Sequence, residues 1–466
     1  MRGILAYGTH VPRCRLDRGE IAAFMGSGGG RGQRSVASFD EDTTTMGVAA
    51  ARMALGSGTG VVPDALWFTT AEPAYLEKTN ANAIHAALRL PASTMALDLG
   101  GAVRSGIGTM RAALTGAGST MVVSSAIRTG LPAGADEASG GDGAAALVIG
   151  DDSAGPLLAR HLGGASVTEE FLDRWREPTA THARQWEERF GETRYVPLAR
   201  EAWAAALADA GVETVDRVVL TGVHARAQSR IARQFGDIEM VDDLSATVGN
   251  TGTAHPALVL AAALDEADPG QTIAVMSVAD GVDVVIVEAT EALVAGRPAR
   301  STASQIAAGA PVPYAKFLQW RGVLEVQPPN RPAPARVSAS AAARRQDWKF
   351  GFVASAGDES GVVHMPPARV SIRPGDHDDA QTAVPMADAV GTVVTFTIDR
   401  LVYSVSPPVV FAVVDFDGGG RMPMELTDVD IATLAIGDRV EPTFRRLFTS
   451  DGIHNYFWKA RPLPTT

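Results

Sequence analysis

The order of elements over about the first 290 residues occurs twice. In the first copy, helical periodicity over 44–55 precedes a strand at 65–70 and a second helix at 79–88. A glycine-bracketed turn, Leu99-Gly100-Gly101-Ala102-Val103-Arg104-Ser105-Gly106, then opens an apolar helix ending at Leu114, and strands at 120–127 and 144–149 follow. The second copy has helix 196–210, strand 217–221 and helix 227–235. Its own glycine turn, Val248-Gly249-Asn250-Thr251-Gly252, opens a small-residue helix ending at Leu264, and strands at 272–278 and 282–287 close it. Such self-similarity constrains the fold more than any single motif, because each copy buries its faces against the other. The closing strands are nearly continuous β-branched runs, the pattern of strands covered on both faces. Alternation of strand and helix predicts a mostly parallel sheet with helices packed on it. The Ala- and Gly-rich helices after the two turns are expected between two sheets.

The composition fits this reading. Of 466 residues, 46% are hydrophobic and 20% charged, as in a globular protein with a large core; the length suggests two to four domains. A net charge of −12 argues against a broad basic face for nucleic acid. No uncharged apolar run reaches the ~18 residues of a membrane span, and the apolar part of the N-terminus is too short for a signal peptide. Cys14 is the single cysteine, which excludes intrachain disulfides and cysteine metal sites and fits a reducing cytoplasm. The expectation is a cytoplasmic protein without nucleic-acid or membrane partners. The glycines of 27–32 lack the Gly-Lys-Ser/Thr of a phosphate loop.

Beyond the duplication, 301–345 is rich in Ala, Pro and Arg and reads as a linker, with Pro313-Tyr314 and 317–320 able to dock back. After Trp348 the pattern changes to short strands at 391–398, 409–415, 421–425 and 440–444, the signature of a small β-barrel.

Several segments resemble known families. Arg34-Ser35-Val36-Ala37 with Asp40-Glu41-Asp42-Thr43-Thr44-Thr45-Met46, and Gly141-Asp142-Gly143-Ala144-Ala145-Ala146, are similar to motifs of the thiolase superfamily on its 3-hydroxy-3-methylglutaryl-CoA synthase and ketoacyl synthase III side. Gly391-Thr392-Val393, Gly420-Arg421, Ile436-Gly437 and Tyr456-Phe457-Trp458-Lys459 resemble the DUF35 family, a zinc ribbon followed by an OB fold. The resemblance implies an α/β chain with a duplicated layered thiolase fold (α-β-α-β-α) and a C-terminal OB-fold barrel. Its divisions are 1–155 and 156–300 for the two thiolase-like halves, 301–345 for the linker, 346–380 for a degenerate ribbon hairpin and 381–466 for the OB fold.

The superfamily's cysteine nucleophile stands at the start of the buried helix, where the helix dipole and free N–H groups stabilise a thiolate. The resemblance places that position at Val103, which has neither lone pair nor proton, so the nucleophile is lost. Ser105 lies close by without an activating base and is taken as a substrate-binding candidate. The catalytic histidine of the family falls on His224 and its asparagine on Asn250, with Thr251 and Gly252 of the same turn as binding residues; such a pair of donors holds a thioester carbonyl or its enolate. Glu72, in Thr70-Ala71-Glu72-Pro73, resembles the general base of the methylglutaryl synthase branch. Tyr75, just after it, is a further binding candidate. The bland alternatives are a hydrogen-bonded strand-end histidine for His224, a surface glutamate for Glu72, core packing for Tyr75 and a structural role for His255. Asp40-Glu41-Asp42 reads as the acidic cap of the helix near Thr43. The ribbon's metal positions fall on Gly357, Ser360, Ser371 and Pro374, none a zinc ligand, so no metal is expected.

With the cysteine gone, the resemblance implies chemistry on an acyl-CoA or acyl-carrier thioester by enolate stabilisation: aldol or retro-aldol cleavage, or decarboxylation. Coenzyme A enters only as part of the substrate, and no other cofactor is expected. The segment 168–194 is expected to cover the cleft. Two alternatives stand beside this reading: a non-catalytic partner subunit of an active condensing enzyme, and an acyltransferase like hydroxymethylglutaryl-CoA synthase or ketoacyl synthase. The implied assembly is a homodimer, or a heterodimer with a thiolase-fold relative.

Overall fold

The computed structural model describes residues 1–56, 60–377 and 379–463, so residue 378 of the expected hairpin and 464–466 of the expected OB fold lie outside the described residues. The chain divides into two compact units. The first comprises Met1–Ser38, Asp42–Asn82 and Pro91–Arg321; the second comprises Phe39–Glu41, Ala83–Leu90 and everything from Gly322 onward.

In the first unit, β1 (Arg2–His10), β2 (Ala65–Thr69), β3 (Met95–Asp98), β4 (Thr120–Ala126) and β5 (Gly143–Asp151) come from the first copy. The second copy supplies β6 (Ala159–Val167), β7 (Arg217–Gly222), β8 (Glu239–Met240), β9 (Thr272–Val278) and β10 (Val282–Ala289). They form one ten-stranded sheet, β8-β7-β9-β10-β6-β1-β5-β4-β2-β3. Read outward from the centre, the halves run β1-β5-β4-β2-β3 and β6-β10-β9-β7-β8, the same order twice. Strand directions repeat as well. β2 lies parallel to β3 and β4, as β7 does to β8 and β9; the remaining pairs in each half are antiparallel. The halves join through a short antiparallel pairing, Gly3 opposite Arg160 and Ile4 opposite Ala159.

The sheet is therefore mixed, not mostly parallel as the alternation suggested. The connection from β9 to β10 spans only residues 279–281. A parallel return needs a crossover of a dozen or more residues, so this strand turns back antiparallel.

The helices repeat too. α1 (Thr43–Leu55), α2 (Ala81–Leu88) and α3 (Ser105–Thr115) have counterparts in α4 (Glu188–Ala210), α5 (Ala225–Ala232) and α6 (His255–Glu266). α1 packs outside β1, β4 and β5, and α4 outside β6 and β10. α6 touches strands of both halves and is buried along Ala257–Ala261, and α3 packs beside it; Ile107, Met110, Leu258, Leu260 and Leu264 fill the central core. Small side chains suit a helix buried against strands of both halves of this one sheet, where two separate sheets were expected. The outer packing is equally tight at equivalent places. A Cβ on Gly8 of β1 would stand 2.5 Å from the α1 backbone at Ala54, and one on Gly163 of β6 would stand 2.6 Å from the α4 backbone at Ala210.

The stretch read as linker divides. Residues 301–321 belong to the first unit: Thr302–Ala307 and Tyr314–Trp320 are helical, and Val312, Tyr314, Phe317 and Leu318 are buried with Leu16, Ile21 and Val36. The acidic run also splits. Asp42 caps α1, accepting the Thr45 N–H at 2.9 Å. Asp40 and Glu41 belong to the second unit, where Lys459 meets Asp40 at 3.0 Å and Arg445 pairs with Glu41.

That second unit contains a closed five-stranded barrel of Gly391–Asp399, Val409–Phe416, Arg421–Leu426, Arg439–Ser450 and Ile453–Pro462. Alternate residues point inward, with Trp458, Phe444, Val414 and Met424 buried. Before it lies a small three-stranded sheet around Val353–Gly357. Its turn is closed by the Asp376 carboxylate, which accepts the Glu359 and Ser360 N–H groups at 2.8 and 3.0 Å and the Ser360 hydroxyl at 2.5 Å. The Ser360 hydroxyl bond is the largest of the effects holding Asp376 well below the usual carboxylate range. His364 meets the Ser371 hydroxyl at 3.3 Å. Among the described residues no helix is long and apolar enough to cross a membrane.

Candidate functional site

Parallel neighbours end on the same edge of a sheet, and the crevice beyond such ends is where α/β proteins bind ligands. β2 and β4 are such neighbours. The loop after β2 carries Glu72, and the loop after β4 carries Arg128 and Thr129. A cavity of about 40 Å³ lies among these three, Arg174, Arg176 and Thr253. Arg174, Arg176 and Ala183 come from 168–194, so that segment does reach this edge. A broader depression of about 440 Å³ opens at the opposite edge, near Met1 and Glu288, away from every candidate residue.

Glu72 is held from several sides. Its carboxylate pairs with Arg176 at 2.5 Å, Thr129 donates to it at 3.4 Å, and its backbone carbonyl accepts the Thr43 hydroxyl at 2.7 Å. Burial raises its pKa above the ordinary glutamate value, and the Arg176 charge opposes that rise.

Arg128 is anchored through its backbone. Its N–H donates to Asp142 at 2.9 Å and its carbonyl accepts from Arg34 at 3.0 Å. Asp142 is buried. It also accepts the Ala37 N–H at 2.7 Å, meets Arg34 at 3.3 Å and pairs with Arg321. The motif residues Arg34 and Asp142 thus form a clamp that fixes the loop after β4. The Arg128 guanidinium is pushed down to about 10, by burial first and then by the Arg174 charge.

Val103 is half-buried at the entrance to α3. Three residues on, Gly106 lies so close to the Thr253 carbonyl that a Cβ would stand 2.0 Å from it. The start of α3 therefore adjoins the cavity through Thr253. Ser105 is half-buried at the first turn of α3, and no side-chain base is hydrogen-bonded to it among the described residues.

The turn after β8 is fastened to its surroundings. Asn250 donates its amide to the Gly222 carbonyl at 2.5 Å and accepts the Gly252 N–H at 2.8 Å. Buried Thr251 gives its N–H to His255 Nδ1 at 3.3 Å. Gly252 abuts the Arg128 side chain, and Thr253 follows it into the cavity wall. His224 differs from its expected posture. It caps α5, with Nδ1 accepting the Ala227 N–H at 3.1 Å and Nε2 bonded to the Glu188 carbonyl at 2.9 Å. Its ring lies against Tyr195, 5.8 Å between centroids, and 4.0 Å from Asp173. Neither nitrogen faces the cavity, because both are engaged in holding α4 and α5 together. Tyr75 is half-buried, its backbone clasped by Asn80 at 3.0 and 2.8 Å, and it is not among the cavity-lining residues.

The structure thus brings Glu72 together with the Thr251–Thr253 turn and the start of α3. It keeps His224 in a neighbouring cluster and uses Asn250 as a brace. Arg128, Arg174 and Thr253 were not singled out in the sequence; the signal available for Arg128 was its place two residues beyond the end of a parallel strand. Chemically, the site offers one carboxylate able to exchange a proton, between guanidinium groups able to bear developing negative charge.

Comparison with known proteins agrees with this architecture. The hydroxymethylglutaryl-CoA synthase of Methanopyrus kandleri is 31% identical over 304 residues, covering 60% of this chain and 84% of that protein. The one from Methanothermobacter thermautotrophicus is 28% identical over 354 residues, covering 70% of this chain and all of that protein (100%). A solved hydroxymethylglutaryl-CoA synthase complexed with CoA superposes with a TM-score of 0.58 at 15% identity, over 68% of this chain and 89% of that one. The 3-oxoacyl-(acyl carrier protein) synthase III of Pseudomonas aeruginosa gives 0.51 at 20% identity, over 62% and 98%. Residues 383–445 match the family described as the ChsH2 C-terminal OB-fold domain. With its duplicated sheet, its motif clamp at Asp142 and its appended barrel, the chain belongs to the hydroxymethylglutaryl-CoA synthase family and carries a C-terminal OB-fold domain.

Proposed function

We propose that this protein is a thiolase-superfamily enzyme that makes or breaks a carbon–carbon bond next to an acyl thioester, without a covalent acyl-enzyme. The observation that carries this reading is Glu72 paired with Arg176 in the cavity beside the start of α3; the resemblance sets Val103, just before that helix, at the family's nucleophile position. In the retro-aldol direction, Glu72 takes the proton of the 3-hydroxyl, the bond between carbons 2 and 3 breaks, and its electron pair becomes the thioester enolate. Proton transfer removes the negative charge from Glu72 as the enolate gains it. Arg176 stays positive throughout and compensates the new charge at no cost in reorganisation. Condensation is the reverse. In this reading Asn250 and His224 fix the cavity wall, and coenzyme A is the carrier of the substrate.

The test is product analysis with 3-hydroxyacyl-, 3-oxoacyl- and malonyl-type CoA thioesters. Glu72→Gln is expected to lower kcat by about 10²- to 10⁴-fold. Turnover that survives this substitution would remove Glu72 from the chemistry. A second reading, a non-catalytic partner subunit, is favoured by the cavity of about 40 Å³, far below the ~300 Å³ of usual ligand pockets. It predicts no turnover with any thioester and co-purification with an active thiolase-fold relative.

A further inference from the structure

A structural metal in a ribbon draws two turns together through thiolate or imidazole ligands from each. The positions that the resemblance sets for such ligands are Gly357 and Ser360 in one turn, Ser371 and Pro374 in the other. Gly357 has no side chain, Pro374 has no donor atom, and neutral hydroxyls are poor partners for zinc. Among the described residues, no three His, Cys, Asp or Glu side chains gather in a way that could hold a metal. This donor set does not fit the metal. What converges there is the Asp376 carboxylate. From the first turn it accepts the Glu359 N–H at 2.8 Å, the Ser360 N–H at 3.0 Å and the Ser360 hydroxyl at 2.5 Å. From the second, the Ser371 hydroxyl bonds the same carboxylate. Ser371 in turn accepts the Arg373 N–H at 3.1 Å and meets His364 at 3.3 Å. A Cβ on Gly357 would stand 2.6 Å from the Asp376 carboxyl carbon and 2.7 Å from the Ser360 hydroxyl. Three of the four metal positions therefore surround one carboxylate.

We infer that the Asp376 carboxylate takes the place of the ribbon's metal: it is the fixed centre that joins the two turns, so that the small sheet around Val353–Gly357 holds its shape without zinc. The polarity of the site is inverted. A cation held by anionic ligands is replaced by an anion held by N–H and O–H donors, and charge-assisted bonds of this kind are about twice as strong as neutral ones. The glycine at 357 follows from the same arrangement, because a side chain there would displace the carboxylate. The inference is independent of the thioester reading.

Hydrogen exchange of the full chain, read at the Glu359 and Ser360 amides, tests it. Dialysis against EDTA and addition of equimolar zinc chloride are both expected to leave their rates unchanged. Asp376→Ala should speed exchange at both amides by about 10- to 100-fold, while the amides of barrel strand Val409–Phe416 keep their rates. Asp376→Asn, which keeps an acceptor and loses the charge, should give a smaller, severalfold change. Ser360→Ala, which removes one of the donors, should also speed the Glu359 amide severalfold, and it decides the matter where Asp376→Ala fails to fold. Gly357→Cys, Ser360→Cys, Ser371→Cys and Pro374→Cys combined with Asp376→Ala should bind zinc one to one and regain slow exchange only with it. Zinc that slows exchange in the natural protein, or rates unmoved by Asp376→Ala or by Ser360→Ala, overturn the inference. Failure of the four-cysteine variant to bind zinc overturns the claim that the carboxylate stands at the metal position.

Discussion

His255 and Asp142 show what single buried groups do in this fold. His255 is buried, accepts hydrogen bonds from Thr251 and has its pKa pushed down to about 4, by burial first. Its unfolded value is near 6.5, so between those two values the unfolded chain binds the extra proton. Its contribution to stability is therefore complete at neutral pH, begins to fall as pH drops through 6.5 and is lost near 4. The full effect is about 3 kcal/mol, and denaturant titrations at pH 7 and pH 4.5 should show most of it as a difference from a His255→Gln variant. Parallel pH curves for the two proteins would contradict this. Asp142 is the counter-charge of buried Arg34 and of Arg321. Asp142→Ala leaves those guanidinium groups uncompensated and should cost about 3–5 kcal/mol in urea unfolding. Since Asp142 also holds the Arg128 N–H, thioester binding should weaken in whatever fraction still folds.

At the scale of elements, α3 carries two glycines with opposite duties. A Cβ on Gly106 would stand 2.0 Å from the Thr253 carbonyl, whereas one on Gly108 would meet nothing within 4 Å. Gly106→Ala should therefore cost about 1–3 kcal/mol by forcing α3 from the turn, and Gly108→Ala should gain up to about 1 kcal/mol of helix propensity; thermal melts of the pair check both. The same geometry explains what the sequence concealed. The helices and the strands at 120–127, 217–221, 272–278 and 282–287 announced themselves by periodicity and β-branched runs. β1 and β6, at the centre of the sheet, did not. Gly8, Gly163 and Gly164 break their patterns, and they are glycines because α1 and α4 or a neighbouring strand press against the backbone. Such a requirement is set by the partner element and cannot be read from local sequence. Likewise α4 begins at Glu188, eight residues before the expected start, and runs through Pro197.

For the whole molecule, the duplication was the most legible feature, and the sheet reproduces it strand for strand. The site was legible only in part. Glu72 could be named because a motif surrounds it. Arg128 could not, because its meaning depends on Arg174, Arg176 and Thr253, which are distant in sequence and converge only in space. His224 illustrates the converse: a residue that the resemblance sets at the catalytic histidine, whose ring is engaged by the Glu188 carbonyl. The central claim is the proposal that this chain, in which the resemblance sets Val103 at the nucleophile position, works on thioesters through Glu72. Intact-protein mass spectrometry during turnover of a 3-hydroxyacyl-CoA tests it most directly. The account predicts cleaved product accumulating while the protein mass stays unchanged, and product formation lost in Glu72→Gln. An acyl adduct on the protein that forms and decays with turnover would contradict it.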